Sequence, residues 1–174
     1  MGAAVLVMDS PLGPLALVGD DEALVAIEFV ERTSRLNRIA RLANPVLQEA
    51  YRQLTAYFDG VLEEFSLPLR PEGTDFQHEV WEALQQIGYG TTTTYGAVAT
   101  GLGLRAAASS QAIGAAAGAN PLPIVIPCHR VISADGSLVG YAGGLRRKEA
   151  LLRLEGSWSP VDQLALFDVG PNVV

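Results

Sequence analysis

The sequence predicts an α+β protein: a small N-terminal antiparallel-sheet domain with a helix, followed by a mainly helical C-terminal domain that contains a helix-turn-helix. Three short apolar runs separated by turn-forming residues occupy the first part of the chain and predict antiparallel strands. Further along, apolar residues recur at helical spacing. We therefore expect two folding units, residues 1–73 and 74–156, and a flexible tail of residues 157–174.

The predicted strands run from Ala4 to Met8, from Leu15 to Val18 and from Leu24 to Phe29. Two segments rich in Gly, Pro, Ser and Asp separate them, at residues 10–14 and 19–21, which is typical of tight turns between antiparallel strands. We find no catalytic constellation in this part of the chain. Its predicted role is that of a scaffold.

A single helix completes the N-terminal unit. Asn44 is its expected N-cap, Pro45 suits the first helical position, and Asp59-Gly60 ends it. Between these limits apolar side chains fall at helical spacing, namely Leu47, Tyr51, Leu54 and Phe58. Pro71-Glu72-Gly73 is the expected linker to the second unit.

Three helices are predicted next. The first carries an apolar stripe of Phe76, Val80, Trp81 and Leu84, and the second begins in the capping residues Thr91–Thr94. The third runs from about Ser109 to Gly118 and consists mostly of small residues. Two short helices around a glycine turn form a helix-turn-helix. The small residues would let the third helix approach either DNA or a neighbouring helix closely.

Composition narrows the class of protein. The chain has 174 residues, of which 49% are hydrophobic, with one cysteine and two histidines. No apolar run is long enough to span a bilayer and no basic-then-apolar leader is visible, so we expect no membrane association. One cysteine excludes an internal disulfide and a cysteine-rich zinc site, and no cofactor is implied. A reducing cytoplasm and a monomeric state are the expectations.

The formal net charge of −7 argues at first against DNA binding, because DNA-binding proteins usually present a basic face. The acidity is concentrated outside the second unit, however: residues 1–73 carry 6 basic and 11 acidic side chains, whereas residues 74–156 carry 6 of each. Five basic residues of the second unit form either a phosphate-facing patch or a solvated surface cluster: Arg105, Arg130, Arg146, Arg147 and Lys148.

The most informative motif is Pro127-Cys128-His129-Arg130-Val131, which sets the one cysteine beside a histidine between apolar residues. A thiolate is the reactive form of cysteine, and a neighbouring base helps to produce it. Because adjacent residues point to different sides of a helix or strand, His129 would act on Cys128 through a bridging water. A free cysteine in an apolar run is otherwise a small core residue.

The residues around this motif decide between the two interpretations. The segment Asn120–Ile132, together with Gly140–Leu145, Lys148, Leu151-Leu152 and Glu155-Gly156, resembles the active-site region of the O6-alkylguanine-DNA alkyltransferases. These repair proteins move an alkyl group from guanine in DNA to their own cysteine. The resemblance extends from about Gly73 to Gly156, with a small length difference near residues 104–110, and is much weaker before Gly73.

The resemblance implies a role for each matching residue. Cys128 would accept the alkyl group, and Asn120 would brace the turn that contains it. His129 would contact Cys128 through a water molecule and Glu155 through its other ring nitrogen. The Glu155 carboxylate would favour the protonated form of His129. The flipped guanine would meet Tyr95, the Val131 carbonyl and the backbone of Tyr141, Ala142 and Gly143. Ser109, Ser110, Gln111 and Ala112 on the recognition helix would contact DNA in its minor groove. Arg130 would either join this contact or make a structural interaction near the cysteine turn.

One position departs from the family. Where relatives usually carry an arginine that fills the gap left by the flipped base, this chain has Gln111. Glutamine forms hydrogen bonds but brings no positive charge and no guanidinium plane. We expect weaker flipping and modest DNA affinity.

Three functions compete: a single-turnover alkyltransferase, a non-catalytic lesion-binding relative that flags damage for other repair systems, and an unrelated cysteine hydrolase. Lesion-binding relatives lack the cysteine, whereas Cys128, His129 and Glu155 are all present. A hydrolase would need an oxyanion hole, for which the sequence gives no sign. The alkyltransferase is the favoured hypothesis, with O6-alkylguanine as its substrate and O4-alkylthymine as a second candidate substrate.

The tail contains Gln163-Leu164-Ala165-Leu166-Phe167, which resembles the pentapeptide by which bacterial repair proteins dock on the sliding clamp. Gln163 would be the polar anchor, and Leu164, Leu166 and Phe167 would supply the apolar contacts. The alternative is that these apolar residues fold back on the protein's own surface. Breakers at residues 157–160 and 170–171 favour a presented peptide.

Overall fold

The structure is a computed structural model of the chain and describes residues 4–30 and 44–159. Its N-terminal part begins with strands β1 (Ala4–Met8), β2 (Leu15–Gly19) and β3 (Leu24–Phe29), which form an antiparallel sheet in the order β1-β2-β3. The register pairs Met8 with Leu15 and Leu15 with Phe29. All three predicted strands are confirmed, because short apolar runs between strong turn signals leave few alternatives.

Helix α1 (Pro45–Phe58) packs on this sheet. Asn44 caps it by accepting a hydrogen bond from the Leu47 amide at 2.9 Å, as the sequence predicts. Its fully buried face differs from the predicted stripe, since Ala50, Gln53 and Tyr57 are buried with Leu47 and Leu54, whereas Tyr51 and Phe58 are half-buried. The buried apolar face of α1 is thus formed by Leu47, Ala50, Leu54 and Tyr57. Tyr57 on this face is directed toward the C-terminal part, where it contacts Glu155.

The C-terminal part contains four helices: α2 (Asp75–Gln85), α3 (Tyr95–Gly101), α4 (Ala106–Gly118) and α5 (Leu145–Leu154). Thr74 and Thr94 cap α2 and α3 through their side chains. Helices α3 and α4 form the predicted helix-turn-helix. Helix α4 begins at Ala106, about three residues before its predicted start at Ser109, because residues 102–105 suffice to connect α3 to α4 and the alanines that follow are good helix formers.

A two-stranded parallel pairing joins the helix-turn-helix to the cysteine segment. Strand β4 (Thr93–Thr94) immediately precedes α3, and strand β5 (Val131–Ile132) immediately follows the motif that carries Cys128. This pairing holds the start of α3, where Tyr95 lies, beside the cysteine turn. Among the described helices, none is long and apolar enough to cross a membrane.

The two parts share one continuous apolar core. Backbone hydrogen bonds also connect them, for example from the Ile27 amide to the Pro121 carbonyl at 2.8 Å. Trp81 of α2 is 1% exposed and donates from Nε1 to the Ala116 carbonyl of α4 at 2.9 Å. The first part is therefore packed against the segment that precedes Cys128.

Candidate active site

Cys128 lies at the start of a single 3₁₀ turn, Cys128–Arg130, which ends an apolar loop that is buried almost throughout. The loop contains Ile124 at φ +79°, a left-handed conformation that is costly for a β-branched residue. Ile124 is fully buried, so the surrounding packing holds this conformation in place. The cysteine side chain itself is 6% exposed.

Asn120 braces this loop from within. Its Nδ2 donates to the Ile126 carbonyl at 2.8 Å and to Cys128 Sγ at 3.2 Å, while its Oδ1 accepts from the Leu122 amide at 2.9 Å. One buried amide group thus fixes the loop at two backbone positions and contacts the thiol directly. This is the bracing contact that the resemblance predicts for Asn120.

His129 and Glu155 are in direct contact behind the cysteine. His129 Nε2 lies 2.8 Å from Glu155 Oε1, and both side chains are fully buried. The other ring nitrogen, Nδ1, is buried and has no hydrogen-bond partner among the described residues. With Nε2 bonded to the carboxylate, Nδ1 is the ring atom left to exchange a proton with the thiol.

Glu155 is held by more than its histidine. Arg130 donates to it from Nε (to Oε2, 2.9 Å) and from Nη2 (to Oε1, 2.9 Å), and Tyr57 donates from its hydroxyl to Oε1 at 2.7 Å. Burial acts to raise the pKa of Glu155, but the hydrogen bonds from His129, Arg130 and Tyr57 lower it to about 2. Glu155 is therefore a carboxylate throughout the neutral range.

Burial keeps the resting Cys128 and His129 neutral. It raises the pKa of the Cys128 thiol, although the Asn120 hydrogen bond and the Lys148 charge oppose the change. It lowers the pKa of His129 more strongly than the Glu155 hydrogen bond raises it. The sequence-based expectation that Glu155 favours the imidazolium is thus outweighed in the resting protein by the cost of desolvating the charge.

Two of the predicted substrate-contacting groups, the Tyr95 hydroxyl and the Val131 carbonyl, are already engaged in hydrogen bonds. The Tyr95 hydroxyl donates to the Val139 carbonyl at 3.1 Å, and Lys148 Nζ donates to the carbonyls of Val131 at 2.6 Å and Val139 at 2.7 Å. Burial lowers the pKa of Lys148 to about 8. The Tyr141 hydroxyl is buried without a partner among the described residues.

The loop that carries Tyr141 and Gly143 is braced by the N-terminal part. Arg147 donates from Nε to the Leu12 carbonyl at 2.9 Å and from Nη1 to the Gly143 carbonyl at 3.0 Å. Its guanidinium lies 4.4 Å from the centre of the Phe29 ring, which also contacts the Tyr141 ring edge-on. Ala142, between Tyr141 and Gly143, is exposed.

Two family models cover nearly all of this architecture. The 6-O-methylguanine DNA methyltransferase ribonuclease-like domain matches residues 6–71, and the DNA binding domain of the same family matches residues 75–157. A Mycobacterium tuberculosis relative, named methylated-DNA--protein-cysteine methyltransferase, is 48% identical over 162 residues, which cover 92% of this chain and 96% of the relative. The chain belongs to the 6-O-methylguanine DNA methyltransferase family.

Other members of the methyltransferase family agree. A Methanosarcina acetivorans protein of the same name is 46% identical, with 87% of this chain and 97% of that protein covered. The crystal structure of Mycobacterium tuberculosis O6-methylguanine methyltransferase matches with a TM-score of 0.77 and 43% identity, covering 96% of this chain and 100% of that one. A structure of the M. tuberculosis protein in complex with DNA matches with a TM-score of 0.76 and 44% identity, covering 94% and 99%.

In this methyltransferase, helix α4 has one face packed on the core and one face exposed to solvent. Ile113, Ala116 and Ala117 are buried, while Gln111 and Ala112 are exposed. Ser109 and Ser110 are half-buried, and the Ser110 hydroxyl donates back to the Ala106 carbonyl of its own helix at 2.6 Å. Some of the small residues therefore pack on the core, as one of the two alternatives from the sequence expects, and others are exposed to solvent.

The predicted patch of five basic residues is wrong for three of its members. Arg130 is 6% exposed and paired with Glu155, Lys148 is fully buried, and Arg147 binds Leu12 and Gly143. A buried charge is retained where carboxylates or carbonyls satisfy it, so these side chains do not face a phosphate backbone. Arg130 belongs to the Glu155 network, whereas Arg105 and Arg146 are exposed.

Two site contributors escaped the sequence analysis. Tyr57 was left out of the apolar stripe of α1, although the spacing of Leu47, Ala50 and Leu54 continues to it, and a tyrosine on a buried face needs a partner for its hydroxyl. The contacts of Arg147 with the N-terminal part leave no local signal, because Leu12 and Phe29 lie far away in sequence. The tail residues 163–167 lie outside the described residues.

Proposed function

We infer that this chain repairs alkylated DNA by direct reversal, transferring the alkyl group of O6-alkylguanine to Cys128 in a single irreversible turnover. The single observation that carries this function is the buried relay of Cys128, Asn120, His129 and Glu155 in a chain of the methyltransferase family. Relatives 46–48% identical are named methylated-DNA--protein-cysteine methyltransferase. DNA is accordingly the macromolecular partner.

The proposed step is a displacement at the alkyl carbon. Cys128 Sγ forms a bond to that carbon while the bond from the carbon to guanine O6 breaks, and the electron pair leaves with the guanine. The thiol proton passes toward His129 Nδ1, and the departing guanine anion takes up one proton at N1 from water. The imidazolium then returns its proton to water, so one proton is lost and one gained overall. The products are unmodified guanine and S-alkylcysteine, a thioether that can form no thiolate for a second turnover.

The electrostatics support a thiolate that forms only when substrate is bound. Burial favours the neutral thiol and the neutral imidazole at rest, so the thiol is protected from general oxidation and alkylation. As the proton moves to His129, the new imidazolium lies 2.8 Å from the Glu155 carboxylate. Glu155 therefore stabilises the charge that develops during transfer more than any charge at rest.

Guanine recognition is proposed to use groups that change partners. The Tyr95 hydroxyl, now on the Val139 carbonyl, would turn to a ring nitrogen of the flipped guanine, and the Val131 carbonyl would accept from its amino group with its second lone pair. Tyr141, Ala142 and Gly143 would line the alkyl side of the pocket with their backbone. The target must leave the stack first, at a cost of a few kcal/mol.

DNA contact is proposed through the exposed face of α4, laid in the minor groove. Gln111 and Ala112 are the exposed members of the predicted set, and Ser109 and Ser110 flank them. Arg105 at the start of the helix and Arg146 are exposed cations that suit phosphate contacts. Arg130 does not belong to this surface, because it is buried and forms an ion pair with Glu155.

Intact mass after incubation with a duplex carrying O6-methylguanine tests the function. We expect one added methyl group per chain, mapped by peptide analysis to Cys128, and no further increase with excess substrate. The matched control is Cys128→Ser, which should bind the same duplex and gain no mass. Binding by the parent without a mass change would favour a lesion-binding protein, and repeated turnover would favour a hydrolase.

We further propose that the tail docks on a bacterial sliding clamp through Gln163, Leu164, Leu166 and Phe167. The order of residues in the sequence supports this, and tethering would raise the local concentration of a protein whose DNA affinity is modest. Binding to a purified bacterial clamp should be in the micromolar range, at a Kd of about 1–100 μM. It should vanish on combined Leu166→Ala and Phe167→Ala, with Asp162→Ala and Asp168→Ala as a control pair.

We also propose a domain division, a cellular location and an oligomeric state for this protein. The division into residues 1–73, 74–156 and a 157–174 tail is supported by the separate matches at 6–71 and 75–157. A cytoplasmic location is supported by the single free thiol, which a reducing compartment preserves. The monomeric state would be checked by light scattering with and without DNA.

A further inference from the structure

The N-terminal part of the chain contributes a hydrogen bond to the catalytic relay. Tyr57, in the last turn of α1, donates from its hydroxyl to Glu155 Oε1 at 2.7 Å across 98 positions of sequence. Both side chains are buried, with Tyr57 fully inaccessible. A buried tyrosine hydroxyl aimed at a buried carboxylate forms a charge-assisted bond, which is shorter and stronger than a neutral one.

The oxygen that accepts this bond is also the one that contacts the histidine. Glu155 Oε1 lies 2.7 Å from the Tyr57 hydroxyl, 2.8 Å from His129 Nε2 and 2.9 Å from Arg130 Nη2. Arg130 alone would leave the carboxylate free to tilt about the axis of the ion pair. The hydroxyl supplies a contact from a second element and so fixes where Oε1 sits relative to the imidazole.

Tyr57 is itself held firmly. Its ring packs edge-on against Phe58 and Tyr89, with centroid distances of 5.4 and 6.1 Å, and tilted against Phe65 at 5.3 Å. The ring therefore has little freedom to move its hydroxyl away from Glu155. A hydrogen-bond donor held in this way fixes the position of its acceptor, whereas a mobile donor on the surface would adjust to wherever the acceptor lies.

We propose that Tyr57 is a positioning residue for alkyl transfer: its hydroxyl holds Glu155 Oε1 in line with His129, so that the N-terminal part sets the reactivity of Cys128. This rests on the function proposed above. It replaces the scaffold role predicted for the first part of the chain with a direct effect on the relay.

The proposal gives a sign for the pH dependence. When Oε1 is misaligned, His129 becomes a weaker acceptor for the thiol proton, so the thiolate is less populated at each pH and the rising limb of the rate moves to higher pH. If the hydroxyl merely competed with His129 for Oε1, its removal would move the limb to lower pH. Among the described residues, the other charged or titratable groups that face the relay are Arg130, Lys148, Tyr89, Tyr95 and Tyr141.

The experiment compares Tyr57→Phe with Tyr89→Phe. Tyr89 packs against Tyr57 in the same aromatic cluster, but its hydroxyl donates to the Leu154 carbonyl at 3.2 Å. Single-turnover transfer from an O6-methylguanine duplex and alkylation by iodoacetamide are both measured from pH 6 to 9. Because Cys128 is the one cysteine of the chain, the reagent reports on it alone. Thermal unfolding of each variant shows that it is folded.

We expect Tyr57→Phe to slow transfer about 10-fold, with the rising limb of both reactions displaced to higher pH. Tyr89→Phe should stay within about 2-fold of the parent with an unmoved limb, since it loses one neutral hydrogen bond. Combining Tyr57→Phe with Glu155→Gln should add little to the effect of Glu155→Gln alone, because the hydroxyl acts only through that carboxylate.

Equal pH profiles for Tyr57→Phe and Tyr89→Phe, a shift to lower pH, or full additivity with Glu155→Gln would each overturn the positioning role. These outcomes are separate from a failure of the proposed function, in which the parent itself would transfer no methyl group to Cys128. Iodoacetamide alkylation tests the relay without DNA, so it also separates an effect on the thiol from an effect on DNA binding.

Discussion

Arg130 holds Glu155 by both carboxylate oxygens, from Nε to Oε2 and from Nη2 to Oε1, each at 2.9 Å in the protein interior. The same guanidinium donates from Nη1 to the Ile87 carbonyl, which anchors the pair to the loop after α2. Arg130, which follows His129 in sequence, is thus a structural partner of the Glu155 carboxylate.

Replacing Arg130 by Met should destabilise the fold strongly. The variant leaves the Glu155 carboxylate buried without its main countercharge, a change that costs about 3–5 kcal/mol. Urea denaturation measures the difference. The control is Arg153→Met, which removes the exposed pair of Arg153 with Glu149 and should cost under about 1 kcal/mol. Similar losses for the two variants would mean that the Arg130 pair is not an essential part of the core.

Acid should destabilise the protein through Glu155. The folded-state pKa of this carboxyl is lowered from 4.5 to about 2, so its stabilising contribution is complete above pH 4.5 and is lost as pH falls toward 2. The stability advantage of the parent over Glu155→Gln should therefore narrow across this range, as measured by denaturation at each pH. Glu49 has a similarly lowered pKa but is solvent-exposed, so Glu49→Gln should alter the curve much less. A constant gap between parent and Glu155→Gln would contradict the assignment.

Removing the Asn120 amide should lower the reactivity of the Cys128 thiol while the protein stays folded. Asn120→Ala loses the hydrogen bond to Sγ that lowers the pKa of the thiol, together with two bonds that brace the loop. We expect at least a 10-fold slower methyl transfer and a thiol alkylation curve moved to higher pH. Asn44→Ala is the control, since Asn44 caps α1 and its loss should cost about 1 kcal/mol of stability with an unchanged alkylation curve.

A methyl group at Gly143 should disturb the pocket wall. A Cβ at this position would lie 2.6 Å from a Phe29 ring carbon and 2.7 Å from a Tyr141 ring carbon, so one of the rings or the loop must move. Gly143→Ala should slow transfer by roughly 10- to 100-fold, because small displacements of positioning groups are costly to rate. Gly101→Ala, where a Cβ meets nothing within 4 Å, should transfer at the parent rate. Normal rates for Gly143→Ala would show that this wall yields easily.

Gln111→Arg should speed methyl transfer from double-stranded DNA more than from single-stranded DNA. Gln111 is exposed on α4, and a guanidinium there could fill the gap left by the flipped base and add positive charge. Transfer rates on double- and single-stranded O6-methylguanine substrates measure the effect. Gln86→Arg adds the same charge at the end of α2 and controls for electrostatic attraction alone. An equal gain on both substrates would show that residue 111 does not fill the gap.

The three strands, α1 and the helix-turn-helix were predictable because their signals are local. Turn residues bound the strands, and Asn44 and Thr94 cap helices that begin next to them. Apolar spacing indicates the helices but not the whole buried face of α1, which also includes Ala50, Gln53 and Tyr57. Helix α5 was not predicted from periodicity, since basic residues fill its first turn and its apolar positions were noted only for their likeness to a family motif. The N-terminal boundary of α4 was missed because alanine has no capping preference and extends a helix into a short turn.

The fold class could be predicted from the sequence because its strand, turn and helix signals are local. The proposal that Cys128 is the nucleophile, with His129 and Glu155 as its relay, also needs only residue type and order. Which charged residues belong to the site depends instead on tertiary packing. Arg130, Arg147 and Lys148 are indistinguishable from surface cations in the sequence, yet each is directed inward by a partner distant along the chain. Tyr57 reaches Glu155 in the same way. The desolvation that keeps Cys128 and His129 neutral at rest likewise arises only when the two parts of the chain pack together.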